Sequence, residues 1–365
     1  MFNKILKIED EGIYYIGGIV RDELLGIDCF DVDITYVGNA INFAKKHNLD
    51  IIKINEPFGT VKVRIDNNEV DIASTRNEIY PKKGHLPKIT EIGCSLEKDV
   101  GRRDFTINTL AKSIKTGTIV DHLGGVEDIN NKLIRILHKN SFIDDPTRII
   151  RALKFSVRFG FRLENETKKL QDNYLNNINY DMSCKRIKKE LIETFNLNSQ
   201  KAFEQFFRQN IYKLISKKEV NPPKYNIEKL INKYPIKDIW LVYLGWMDLS
   251  MIPLTKREKK IINDYHSIKN VRSDNDFTIY NIFKNCETES ILLYAINIDE
   301  NTAIKYLDKL SKIKISITGE NLQEIGIKPS IKYSKCFEYI LKEKLKNPNM
   351  TKSDEITLAK EFFEV

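Results

Sequence analysis

The chain has 365 residues, 41% hydrophobic and 30% charged, with a net charge of +8. That length carries two or more packed units, and the composition is that of a soluble globular protein whose positive balance suits a polyanion without demanding one. The five scattered cysteines, Cys29, Cys94, Cys184, Cys286 and Cys336, argue against a disulfide framework or a zinc site; with no signal peptide or membrane span in the sequence, the expected compartment is a reducing cytoplasm.

In chain order, a strand is expected over 13–16, then Gly17-Gly18 and a helix over 20–25. A strand over 32–37, a helix over 40–47 and three strands over 51–54, 60–65 and 70–74 follow, the last three rich in β-branched residues. Strands separated by short helices predict a compact sheet with helices on one side. From about residue 140 apolar positions recur at helical spacing, as in Ile149, Ile150, Leu153 and Val157. The remainder reads as successive helices, broken near 196–199, 221–223, 267–276 and 347–349.

The sharpest chemistry lies in Gly17-Gly18, Arg21-Asp22 and Asp31-Val32-Asp33. Glycines directly after a strand let a phosphate approach the backbone where a helix begins, and Arg21, just inside that helix, is placed to pair with a triphosphate. Asp31 and Asp33 stand two apart on a strand, so both carboxylates share one face, an arrangement that suits Mg²⁺. A third carboxylate is expected from a neighbouring strand, best Asp71, with Glu69 behind it. Such a set builds a two-metal site, one ion activating a 3′-hydroxyl and one neutralising the leaving pyrophosphate. Alone, the paired aspartates are a solvated strand end and the paired glycines a loop; the order strand, glycines, helix, aspartates favours catalysis.

The segment from Gly17 to Thr35, GGIVRDELLGIDCFDVDIT, resembles the signature of class II tRNA nucleotidyltransferases. These are the CCA-adding enzymes, relatives that add only CC or only A, and bacterial poly(A) polymerases, within the DNA polymerase beta superfamily. The resemblance implies a polymerase-beta-like α/β nucleotidyltransferase head with a mixed sheet, over 1–137, followed by an all-helical neck over 138–200, body over 201–275 and tail over 276–365.

Later blocks extend the likeness. RRDFTIN at 102–108 offers guanidiniums for phosphate and a carboxylate for a ribose hydroxyl, though by itself it reads as a charged turn. It is similar to the family block for ribose and triphosphate, which assigns Arg102 and Asp104 to nucleotide binding beside Gly18 and Arg21. DHLGGVED at 121–128 resembles the hinge block between head and neck, for which a structural or dynamic role is expected, with Asp121 the residue to watch and not a catalytic one. In DDPTRIIR at 144–151, Pro146 suits a first helical turn and Asp145 an N-cap, and Asp145, Arg148 and Arg151 fall on one helical face. Alone this is a capped, solvated basic face. Its similarity to the EDxxRxxR block makes Asp145 and Arg148 readers of the base of CTP or ATP, and Arg151 a supporting contact. Lys154 replaces a family arginine and loses the planar fork.

MSCKRIKKEL at 182–191 resembles the block ending the neck, with Ser183 expected as a helix N-cap. EIYPKKGHLP at 78–87 reads as a mobile loop, whose presence in the family goes with finishing on A. TGENL at 318–322 and GIKP at 326–329 loosely resemble a tail element. The resemblance implies template-independent addition of CCA to tRNA from CTP and ATP, with Mg²⁺ as cofactor and neither membrane nor DNA as partner. A-only, CC-only and poly(A) addition share this chemistry; a non-catalytic RNA-binding protein and a transferase acting on a small molecule or protein are rivals of other kinds.

Overall fold

A computed structural model of the chain describes residues 10–28, 32–65 and 68–364. Two compact units divide it, Met1–Glu219 and Val220–Val365.

The first unit opens with β1 (Ile13–Ile16), α1 (Gly18–Leu24), β2 (Asp33–Tyr36), α2 (Ala40–Lys46), β3 (Asp50–Asn55), β4 (Thr60–Ile65) and β5 (Asn68–Ser74). Each matches an element expected from the sequence to within about two residues. α1 starts two residues earlier than its apolar pattern does, because Gly17 takes a left-handed φ of 72° and turns the chain directly into the helix. Next come β6 (Arg76–Ile79), β7 (Lys88–Ile92), α3 (Leu96–Gly101), β8 (Ala111–Ser113), β9 (Ile119–Val120), α4 (Gly125–Asn130) and β10 (Leu133–Ile134). The unit ends with α5 (Ser141–Asp144), α6 (Thr147–Phe159), β11 (Arg162–Leu163), α7 (Asn165–Asn176), α8 (Cys184–Phe195) and α9 (Gln200–Arg208).

Seven strands form one sheet in the order β3-β4-β5-β2-β1-β8-β9. The β2–β5 pair is parallel and its other pairs are antiparallel, so the sheet is mixed as expected. α2 packs Ala40, Ile41, Phe43 and Ala44 onto Ile34, Val61, Val63, Val70 and Ile72. Burying those alternate strand positions leaves the intervening residues of β2, β4 and β5 on the opposite face.

β6 and β7 form a separate hairpin. The turn between them, read from sequence as a mobile loop, is tied down within the unit. The Gly84 amide donates to the Asp144 carbonyl at 3.0 Å, and the Ser183 amide donates to the Gly84 carbonyl at 2.9 Å. Ser183 holds the N-cap position of α8, but its side chain makes no capping bond; its backbone does the work by joining the turn. Asp121 does cap, its carboxylate accepting from the amides of Leu123, Gly125 and Val126 at the start of α4.

The second unit is helical from Ile227–Lys233 to Lys352–Phe363, with no strand among its described residues. Helix Ile239–Leu244 is buried at Trp240, Leu241, Val242, Tyr243 and Leu244, so it is the unit's central element. Near the C-terminus a smaller core gathers Ile317, Leu322, Ile327, Cys336, Ile340 and Ala359. Beside it the buried Glu355 pairs with Lys344 and accepts from the amides of Ser316 and Ile317. No helix among the described residues is long and apolar enough to cross a membrane.

Candidate functional site

The parallel pairing of β2 with β5 sets Asp33 directly opposite Asp71, and the β4–β5 ladder sets Asp71 opposite Lys62. Both aspartates are exposed on the face turned away from α2. Neighbouring strands lie about 4.8 Å apart, so two carboxylates converge on one small volume. Lys62 Nζ reaches Asp71 at 3.3 Å and Glu69 at 3.6 Å, and the Asp71 contact raises the Lys62 pKa. Asp31 lies outside the described residues. Among those described, no group of three or more His, Cys, Asp or Glu side chains is gathered to hold a metal. The in-register pair of hard oxygen donors nevertheless fits a hard divalent cation, which takes one or two protein carboxylates and fills its other positions from water and substrate phosphate.

A cavity of about 570 Å³ opens beside Asp33. Its lining holds seven arginines against five carboxylates, an excess of positive charge that suits a triphosphate. Gly17 and Gly18 line it, and a Cβ at Gly17 would come within 3.0 Å of Arg103 Nη1. Arg21 also lines it but is 4% exposed. Its guanidinium grips Asp22 at 2.6 Å, donates to Asn108 and sits 4.5 Å from the Phe159 ring centroid.

The buried Asp99, on α3, organises the cations. Arg102 reaches it at 2.8 Å and Arg103 at 3.2 Å, while the Arg76 amide donates to it at 3.0 Å. Arg102 also contacts Glu78 at 3.4 Å and donates to the Arg76 carbonyl, so it is largely committed to the protein. Arg103 is the less engaged of the two, its Nε buried without a hydrogen-bond partner among the described residues.

Asp104 joins the sheet unit to α6. Its Oδ1 accepts from Asn108 and from the Phe105 amide, each at 2.9 Å, and its Oδ2 accepts from Arg151 at 2.8 Å. Burial pushes this carboxyl up, but Arg151 and Asn108 outweigh burial and hold it down at about 2. A carboxyl whose folded pKa lies below its unfolded value near 3.9 stabilises the fold above about pH 4, and loses that contribution as pH falls towards 2. Asp104→Asn should therefore cost about 2 kcal/mol near neutral pH, with the gap to the parent closing towards pH 2 in denaturant unfolding at a series of pH values.

α6 and the turn before it supply another wall of the cavity. Pro146 precedes the helix, and Asp145 Oδ1 accepts from the Thr147 amide at 3.2 Å and hydroxyl at 2.6 Å. Its Oδ2 accepts from Arg186 of α8 at 2.5 Å. Arg148 donates to Ser141 Oγ at 2.6 Å and to the Arg102 carbonyl at 3.0 Å. Asp145 and Arg148 are 4% and 3% exposed, yet both line the cavity. They are held side chains rather than the solvated face that helical spacing alone suggests. Arg151 bonds Asp104 and, at 3.3 Å, Glu190; Lys154 reaches Glu190 at 3.0 Å.

Residues 13–135 match the poly A polymerase head domain family. The chain is 43% identical over 170 residues to the A-adding tRNA nucleotidyltransferase of Aquifex aeolicus, covering 45% of this chain and 20% of that one. It is 29% identical over 383 residues to the A-adding tRNA nucleotidyltransferase of Halalkalibacterium halodurans, covering 96% and 88%. The structure of the Thermotoga maritima CCA-adding enzyme complexed with tRNA superposes with a TM-score of 0.73 and 25% identity, over 96% of this chain and 91% of that one. Over nearly its whole length the chain is similar to A-adding and CCA-adding tRNA nucleotidyltransferases. It spans about a fifth of the length of the Aquifex aeolicus family member.

Within the first unit, the structure brings Gly18, Arg21, Asp33, Arg102, Asp104, Asp145, Arg148 and Arg151 to one cavity. Asp71 stands beside Asp33 in the sheet but does not line that cavity. Asp99, Glu78, Tyr80 and the pairing of Arg186 with Asp145 escaped the sequence reading. Asp99 had a faint signal, an acid three and four residues ahead of Arg102 and Arg103 at the end of a helix. The Arg186–Asp145 pair had none, because it is made between two helices 41 residues apart.

Proposed function

We propose that this chain transfers nucleotidyl groups from CTP and ATP to the 3′-hydroxyl of tRNA without a template, completing CCA and releasing pyrophosphate. The observation that carries the proposal is that Asp33 and the Asp145–Arg148 pair line the same cavity. Reacting phosphate and selected base thus have places within one nucleotide's reach.

In this reading Asp31 and Asp33 hold Mg²⁺, with Asp71 as the third carboxylate. The chemistry supplied by bound Mg²⁺ is acidification of the attacking hydroxyl and neutralisation of the pyrophosphate. Arg103, supported by Arg102 and Arg21, faces the triphosphate. The Gly17-Gly18 turn leaves the backbone open to it. Asp145 accepts from an exocyclic amino group and Arg148 donates to a ring acceptor. Cytosine and adenine each offer an amino donor beside an acceptor, and uracil has no amino group at all. One fixed carboxylate–guanidinium pair can therefore serve both substrates, with no nucleic-acid strand reading the base. Asp104 and Arg151 keep α6 in place against the head. The reaction belongs in the cytoplasm, in line with scattered cysteines, of which Cys94, Cys184, Cys286 and Cys336 are free thiols.

A second reading, addition of A alone, is favoured by the names of the Aquifex aeolicus and Halalkalibacterium halodurans relatives. Both readings include the terminal A. A tRNA ending at the discriminator base, incubated with labelled CTP alone, separates them. Two C residues are added under the first reading and none under the second.

A further inference from the structure

A row of four charges crosses the sheet on the face turned away from α2. The β3–β4 ladder sets Lys53 opposite Lys62, the β4–β5 ladder sets Lys62 opposite Asp71, and the β2–β5 ladder sets Asp71 opposite Asp33. Residues directly opposite each other share a face, and each step of the row spans one strand spacing, about 4.8 Å. Two cations thus run into two carboxylates, and Lys62 is the cation at the junction. Its Nζ lies 3.3 Å from Asp71 and 3.6 Å from Glu69, two residues earlier on β5. Glu69 stands opposite Arg64, but Arg64 pairs with Asp50 of β3 at 3.7 Å. Among the described residues Lys62 is therefore the ion-pair partner of both acids on β5.

Stability does not account for this arrangement. Lys62, Asp71 and Glu69 all have side chains about a third or more exposed, and ion pairs in that setting add little to a fold. Two lysines side by side and two aspartates side by side each oppose it. The proposed chemistry does account for it. The ammonium of Lys62 and a divalent cation are rivals for one carboxylate, Asp71. Glu69 lies on the same face of the same strand, within the lysine's reach, and can receive it when Asp71 turns to a metal.

We propose that Lys62 is a positioning residue of the metal site: a tethered cation that competes for Asp71, with Glu69 as its second acceptor. With no divalent ion bound, Lys62 offsets the repulsion between Asp71 and Asp33 and holds the Asp71 carboxylate on the β4 side. On metal binding it passes to Glu69 and leaves Asp71 free. Metal affinity is then set by the lysine as well as by the carboxylates.

The inference rests on the reading of Asp33 and Asp71 as metal ligands, and its test separates the two. Binding of Mn²⁺ to the full chain is measured without nucleotide, from the free-ion electron paramagnetic resonance signal. Lys62→Met should bind Mn²⁺ about 5- to 10-fold more tightly than the parent, the effect of removing one solvent-screened charge about 5 Å from a divalent ion. Lys62→Arg keeps the cation and should stay near the parent. Glu69→Gln removes the second acceptor, leaves the lysine on Asp71 and should weaken Mn²⁺ binding about 3-fold. In the Lys62→Met background the same Glu69→Gln change should have no effect, because Glu69 acts through the lysine. Thermal unfolding unchanged from the parent shows that these exposed substitutions leave the fold intact. Parental or weaker Mn²⁺ binding in folded Lys62→Met overturns the inference and leaves the metal reading standing; so does a Glu69→Gln effect that is equal with and without the lysine. A parent chain that binds no Mn²⁺, or whose Mn²⁺ affinity is untouched by Asp33→Ala, overturns both.

Discussion

Asp33→Ala is expected to slow nucleotide incorporation by about 10³-fold or more, equivalent to roughly 4 kcal/mol of transition-state stabilisation, while leaving ATP binding within a few-fold of the parent. The asymmetry follows from where Asp33 stands. It is exposed, on the sheet face away from α2, so the core beneath Ile34 and Ile72 is untouched by its removal. In the proposed mechanism triphosphate affinity falls to Arg103 and its neighbours. What is lost is the carboxylate placed opposite Asp71. Asp71→Asn should act in the same direction, and should also release Lys62, whose raised pKa depends first on Asp71. Single-turnover incorporation with ATP affinity measured separately checks both. Near-parental turnover in Asp33→Ala would remove Asp33 from the metal site.

Asp145→Ala should cut kcat/KM for CTP and ATP by about 10³-fold, and should collapse discrimination against UTP and GTP towards unity. A site built to hydrogen-bond a particular base edge rejects the wrong edge strongly, and only while its polar groups are in place. The substitution also strips Arg186 of its carboxylate. That guanidinium is partly exposed, so water offsets much of the loss, and Arg186→Ala, which leaves the buried Asp145 carboxylate unpaired, is a useful companion. Asp145→Asn keeps the side-chain shape and its bond from Thr147, and should retain the fold while losing base choice. Competition between labelled nucleotides, at concentrations below KM, gives the discrimination directly. A variant that loses rate equally for all four nucleotides would make Asp145 a structural residue.

The head was legible because its signals are local. Val70, Asp71 and Ile72 alternate inward and outward, Gly17 sits at the turn into α1, and Asp145 stands beside the start of α6. Spacing within one element reports which residues share a face. It cannot report which element lies alongside, and the remaining geometry depends on that. The register of Asp33 with Asp71 comes from a parallel pairing of strands that the chain separates by α2, β3 and β4. The 80–87 turn has the prolines, glycine and lysines of a free loop. Its attachment to Asp144 and Ser183 combines the Lys83–Asp144 ion pair with bonds of the Gly84 backbone, which carry no residue signature. Arg102 and Arg103 are adjacent and chemically alike in sequence; both reach Asp99, and the added contacts of Arg102 with Glu78 and the Arg76 carbonyl distinguish it from Arg103, whose buried Nε is unpartnered among the described residues. Asp104 was expected at a ribose, and the structure shows its oxygens occupied by Asn108, Phe105 and Arg151. A ribose contact would have to share or displace those donors.

The central claim is that one cavity selects a nucleotide and joins it to the 3′ end of tRNA. The most direct measurement presents a tRNA ending in CC with all four nucleoside triphosphates and Mg²⁺, and sequences the product. The account predicts one added A and release of one pyrophosphate. No extension of that tRNA, or extension by an unselected mixture of nucleotides, contradicts it.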